Sequence, residues 1–209
     1  MIYECKQGSL EWFALREYRL TASHAQAISA NGKGLITYVD SKILELIVGK
    51  KEFINKDIDR GNELEPIARI DYEFKHNCTV REVGFISYDK YETRIGVSPD
   101  GLINDDGGAE FKARNDEIHL RLLKDGKFDS KTIWQCQQNL LVTGRKWWDA
   151  VSFNPHFTQS SFTKRIYPDK EKFAKLELGF IAGIKMFNDL LANETIKKEI
   201  ENGYKNNQK

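Results

Sequence analysis

Apolar positions return every three to four residues along both flanks of this chain and alternate with polar ones through its middle. Ser9 is placed to cap a short helix that carries Leu10, Phe13 and Ala14, with Glu11 in its first turn. Thr21 is placed to cap a second helix over 22–30, and Asn31-Gly32-Lys33-Gly34 reads as a loop. Thr37 and Asp40 resemble a capping box that opens a helix with Val39, Ile43, Leu46 and Ile47 on one stripe, stopped at Gly49. Polar residues 50–60 read as a connection. Leu64, Ile67, Ala68, Ile70 and Phe74 then mark an amphipathic helix that ends near His76. Pro66 is tolerated in a first turn, so this helix is expected to start between Gly61 and Glu63.

Strands are predicted over 79–88, 94–97, 102–103 and 109–113, the last two joined as a hairpin by Asn104-Asp105-Asp106-Gly107-Gly108. Helices over 118–123 and 132–143, strands over 147–153 and 161–167, and a long helix over 170–200 follow. That last helix is expected to break near Gly183 or fray towards Asn193. Helices, then strands, then helices imply an α+β (mixed α/β) fold with a central mixed β-sheet flanked by helices.

With 209 residues, one domain over 1–209 is the simplest organisation. A formal charge of +1 gives no bulk polycationic signature, so any nucleic-acid surface must be local. Cys5, Cys78 and Cys136 are odd in number and widely spaced, which argues against a disulfide framework or a cysteine-rich metal site. That usage fits a reducing cytoplasm. The first residues lack an apolar signal core, and no stretch approaches the roughly 18 apolar residues of a membrane span.

Three pieces carry chemistry: Ser98-Pro99-Asp100-Gly101, Glu110-Phe111-Lys112 and Gln135-Cys136-Gln137. An acid-x-lysine pair alone decides little. Glu4/Lys6, Glu73/Lys75, Asp40/Lys42, Asp125/Lys127 and Asp129/Lys131 repeat the pattern, and such pairs are usually a solvated face. The Glu110 pair differs in its setting. Strand period places Glu110 and Lys112 on one face and Phe111 on the other, and Asp100 lies across the hairpin. Two carboxylates so close repel each other unless a cation lies between them. Hard oxygens suit Mg²⁺ or Mn²⁺, and the Phe111 carbonyl is free to add a ligand. A lysine beside divalent ions should have a lowered pKa and work as a water-orienting base. The plain alternative is a turn aspartate next to an exposed Glu/Lys pair. A calcium loop is excluded, because Leu102 and Asn104 break its spacing.

The order of these pieces resembles the phage lambda-type 5′→3′ exonuclease family (YqaJ-like, or alkaline exonucleases) of the PD-(D/E)xK nuclease superfamily. The resemblance spans about residues 7–155, leaving 168–209 as a C-terminal helical extension. It runs through Gln7-Gly8-Ser9-Leu10-Glu11-Trp12, Leu15-Arg16, Leu20-Thr21-Ala22-Ser23 and Gly61-Asn62-Glu63-Leu64-Glu65. It continues through Ser98-Pro99-Asp100-Gly101-Leu102, Glu110-Phe111-Lys112, Gln135-Cys136-Gln137 and Val142-Thr143-Gly144-Arg145-Lys146. Ala113-Arg114 stands where such proteins often carry Cys-Pro.

The resemblance implies a restriction-endonuclease-like core and a nuclease that degrades linear duplex DNA from 5′-phosphorylated ends to mononucleotides, leaving 3′ overhangs for strand-annealing recombination. It implies two Mg²⁺ ions, replaceable by Mn²⁺, held by Asp100, Glu110 and the Phe111 carbonyl, with Glu65 in support. Lys112 and Gln137 would position the water, with Gln135 and Gln138 close in register to Gln137. Arg16, Ser23 and Ser98 would hold the 5′ phosphate. A trimeric ring, a single-strand annealing partner and a phage or prophage origin in a bacterial cytoplasm are implied as well. A structure-dependent or site-specific endonuclease with the same core, and a catalytically silent DNA-end-binding accessory protein, are the competing readings.

Overall fold

The computed structural model describes residues 1–49, 56–91 and 94–206. The strands divide between two mixed sheets where one was expected. The smaller, in the order β1-β4-β5-β2, contains β1 (Ile2–Tyr3), β2 (Leu20–Thr21), β4 (Phe85–Tyr88) and β5 (Ile95–Val97). The larger, in the order β3-β6-β7-β8-β9, contains β3 (Val80–Arg81), β6 (Gly101–Ile103), β7 (Gly107–Ala113), β8 (Trp147–Phe153) and β9 (Ser161–Ile166). The strand expected over 79–88 is therefore two strands in different sheets. Gly84 sits at the split, where a Cβ would lie 2.3 Å from the Cys5 carbonyl oxygen.

In the larger sheet β6 and β7 form the expected antiparallel hairpin, and β7 runs parallel to β8. A parallel pair needs a long crossover. Here α5 (Asp116–Asp125) and α6 (Ser130–Thr143) provide it. Asn115 caps α5 and Asp129 caps α6, each accepting a backbone N–H three residues on. Gly144, at φ +67°, ends α6 in the left-handed region that disfavours other residues.

Among the first four helices, three start elsewhere than the sequence reading placed them. Ser9 caps α1 (Leu10–Glu17) as expected. Residues 22–24 form a 3-10 turn before α2 (Ala25–Ala30), and Thr21 makes no side-chain cap. Helix α3 (Lys33–Val48) begins four residues before Thr37, whose hydroxyl donates back to the Lys33 carbonyl at 3.0 Å inside the helix. Helix α4 (Lys56–His76) begins well before Gly61 and carries Pro66 in its interior. Packing of Ala68 and Tyr72 on β7 outweighs the roughly 3 kcal/mol that an interior proline costs. The connection expected over 50–60 lies partly outside the described residues.

Helices α7 (Lys170–Ala192) and α8 (Glu194–Asn206) break at Asn193 and not at Gly183. Leu176, Phe180 and Phe187 of α7 belong to the main core with Ile28, Leu35 and Trp148. At Gly179 a Cβ would lie 2.0 Å from the Ile28 carbonyl oxygen, so α7 packs backbone-close on α2. The C-terminal helices are thus part of the core and not an appendage. A second cluster, with Ala68, Tyr72, Ala109, Phe111 and Val151, lies between α4 and the larger sheet. Among the described residues no helix is long and apolar enough to cross a membrane.

Candidate active site

Strand β7 sits at the centre of its sheet, and its period-two alternation is the one expected. Phe111 turns its ring to Tyr72 on α4, with centroids 5.7 Å apart. Glu110 and Lys112 point the other way, towards α6. Glu110 is fully buried, and its Oε1 accepts from Lys112 Nζ at 2.6 Å. The same oxygen accepts from the Gln135 amide, while Oε2 accepts from Asn139 Nδ2 at 3.1 Å. Across the hairpin, Asp100 accepts the Phe111 backbone N–H at 2.7 Å. Glu65, on α4, feels the charges of both Glu110 and Lys112.

The charges form one coupled group. Burial raises the Asp100 carboxyl well above the usual carboxylate range, and Glu110 adds to this, against Lys112 and the Phe111 N–H. Burial also raises Glu65, again with Glu110 adding to the effect. Lys112 runs against the sequence expectation: burial disfavours its charge, but Glu110 and Asp100 outweigh burial, so its pKa rises. Three carboxylates face one ammonium, and that ammonium is the local counter-charge. A cation between the carboxylates would take over that task and restore the direction expected for Lys112.

Gln137 lies elsewhere. Its amide donates to the Tyr167 carbonyl at 2.8 Å and accepts the Asp169 N–H at 3.1 Å, which ties α6 to the start of α7. The reason is helical: Gln135 and Gln137 stand about 200° apart round the axis, so one of them at most can face β7. Gln135 and Asn139, four residues apart, share the face that does. Asn139 was missed in the sequence, although its spacing from Gln135 was visible there. Gln135→Ala is expected to cut turnover at least about tenfold through the lost charge-assisted bond. Gln137→Ala should instead cost about 1–2 kcal/mol of stability at near-normal turnover. Paired melting and rate measurements on the two variants check this.

Arg16, Ser23 and Ser98 are brought into one neighbourhood. Arg16 Nη1 donates to Ser98 Oγ at 2.9 Å, and the guanidinium lies 4.2 Å from the Trp12 ring centroid. Trp12 Nε1 also donates to Ser98 Oγ, at 2.9 Å. Thr21 bridges Ser23 and Arg16, its Oγ1 lying 3.3 Å from Ser23 Oγ and 3.5 Å from Arg16 Nη2. His24 stacks on Tyr38 at 3.8 Å. Burial first, then Lys131, Arg16 and Lys42, push His24 down to about 4, so it is neutral in a cationic setting. Ser98 stands two residues from Asp100, so this neighbourhood adjoins the carboxylates.

Such a donor set suits hard divalent cations. Among the described residues, no three His, Cys, Asp or Glu side chains form a preformed cage. Mg²⁺ is usually held through one or two carboxylates, with waters and substrate phosphate completing the octahedron. Asp100 and Glu110 fit that pattern, and the Glu65 carboxyl is coupled electrostatically to Glu110.

Residues 11–146 match the YqaJ-like viral recombinase domain. Among solved structures, an alkaline exonuclease (LHK-Exo) from Laribacter hongkongensis is 31% identical, with a TM-score of 0.78 over 96% of this chain and 98% of that one. The same exonuclease in complex with dAMP is 32% identical, with a TM-score of 0.79 over 92% and 95% of the two chains. A phage-related exonuclease from Haemophilus somnus 129PT shares the fold at 15% identity, with a TM-score of 0.63 over 83% and 95%. Among curated protein sequences none matches this chain.

Proposed function

The chain belongs to the YqaJ-like viral recombinase domain family, and we propose that it is a metal-dependent exonuclease that digests duplex DNA from 5′-phosphorylated ends. The observation that carries this reading is adjacency. A cluster of acids and lysine suited to phosphodiester hydrolysis stands two residues along the chain from an arginine-bound serine suited to a terminal phosphate. The alkaline exonuclease relatives support it, and the dAMP bound by one of them fits mononucleotide release.

In this reading Asp100, Glu110 and the Phe111 carbonyl would hold two Mg²⁺ ions, with Glu65 in support. When bound, the ions would polarise the phosphodiester and lower the pKa of the attacking water. Gln135 and Asn139 each donate to one oxygen of the Glu110 carboxylate and so orient it. Lys112, released from its role as counter-charge, would orient the water. The Arg16 fork and the Ser98 hydroxyl grip the terminal phosphate, and Ser23 extends that donor row through Thr21. On family kinship we extend the proposal to a trimeric ring and a single-strand annealing partner.

Linear duplex with 5′-phosphate or 5′-hydroxyl ends, nicked circles and closed circles, each incubated with Mg²⁺, test this reading. Linear phosphorylated duplex should be degraded fastest and closed circles spared. Degradation of closed circles at the linear rate would make the protein an endonuclease instead. Arg16→Ala should reduce the preference for phosphorylated ends at least about tenfold, the scale of one charge-assisted contact. A preference that survives this change would move the phosphate site elsewhere.

A further inference from the structure

Beside Arg16 lies a cavity of about 300 Å³ whose wall includes Thr21, His24, Tyr38, Lys42 and Glu45. Lys42 is 7% exposed, on the inner side of α3. Lysine is seldom so buried unless it is paired. Its Nζ donates to Glu45 Oε2 at 2.8 Å. Glu45 is also felt by the other groups here, since its charge acts on Arg16, His24 and Tyr38. A carboxylate therefore sits among Arg16, Lys42 and a neutral imidazole. Glu17 lines the same cavity.

Resting on the reading of Arg16 and Ser98 as a phosphate grip, we propose that Glu45 is a built-in substitute for the terminal phosphate. It occupies Lys42 in the free protein and yields to the incoming phosphomonoester, which Lys42 then binds. The Glu45 side chain is 34% exposed, so it has a route outward. A terminal phosphate carries nearly two negative charges and three acceptor oxygens against the single charge of a carboxylate. The exchange favours that dianion over a bare hydroxyl end, which offers Lys42 nothing in return for Glu45. Lys42 and Glu45 are thus specificity-determining residues on the same cavity wall as Arg16.

Binding without cleavage gives a direct test, using fluorescent duplex ends with a 5′ phosphate or a 5′ hydroxyl, in Ca²⁺. The readout is the ratio of the two dissociation constants. Lys42→Met should lower that ratio on the order of tenfold, and Lys42→Arg should restore most of it. Glu45→Gln should tighten binding of the phosphorylated end several-fold, because the competing anion is gone. Weakening in Glu45→Gln that matches Lys42→Met would overturn the proposal and make Glu45 a mere prop for Lys42. If Lys42→Met fails to fold, Glu45→Gln decides alone, since tightening and weakening have opposite signs. A wild-type ratio near one would overturn the phosphate grip itself. A normal wild-type ratio left unchanged by all three variants would overturn only the Lys42–Glu45 exchange.

Discussion

Lys112→Ala is expected to leave duplex ends bound but uncut, with turnover down on the order of a thousandfold, the middle of the range for a lost acid–base or water-orienting group. The same change should be felt in the fold. Glu110 is buried, and Lys112 is the cation that meets it. Removing one partner of a buried pair leaves the other uncompensated, a cost of about 3 kcal/mol or somewhat less here, because Lys112 is 28% exposed. Melting in EDTA should therefore fall by several degrees, and Mg²⁺ should recover more of it in the variant than in the wild type. Wild-type turnover in Lys112→Ala would remove the lysine from the chemistry. An unchanged melting point in EDTA would remove it from the charge balance.

Asp100→Asn should produce the opposite stability change with the same loss of cleavage. Folding raises the Asp100 pKa through burial and the neighbouring Glu110. A carboxyl raised in this way is penalised once pH climbs above its unfolded value of about 3.9, so the metal-free protein loses stability from there towards neutral pH. Asparagine removes the charge and can still accept the Phe111 N–H. The variant should melt higher than wild type in EDTA at neutral pH, by roughly 2–4 °C for each kcal/mol relieved in a chain of this size. The gap should close near pH 4, and Mg²⁺ should close it at neutral pH by stabilising the wild type alone. A lower melting point in EDTA would mean that the carboxylates do not repel one another.

Much of this site was legible in the sequence, because strand periodicity is short-range. Glu110 and Lys112 had to share a face, and the hairpin had to bring Asp100 opposite them. The glutamine was not assigned in the same way. Register along a motif favoured Gln137, whereas the angle round a helix separates it from Gln135 by more than half a turn, and the angle prevails. Asn139 followed from the same angle and went unread. Pro66 misled for the converse reason: a local penalty located the start of α4, but long-range packing on β7 was larger. The division into two sheets, with β2 parallel to β5, depends on contacts between residues some 75 apart, which no local pattern encodes.

The close seating of α7 on α2 limits how this protein can be cut down. The family match ends at residue 146, which invites excision of a minimal nuclease from the first two-thirds of the chain. Such a fragment would expose the faces of Ile28 and Leu35 that Phe180 and its neighbours cover. It would also lose β8, the parallel neighbour that pairs with β7 along the whole stretch carrying Glu110 and Lys112, together with the Tyr167 and Asp169 partners of Gln137. Sequence kinship and the folding unit thus have different borders here, and the geometry around Glu110 follows the second.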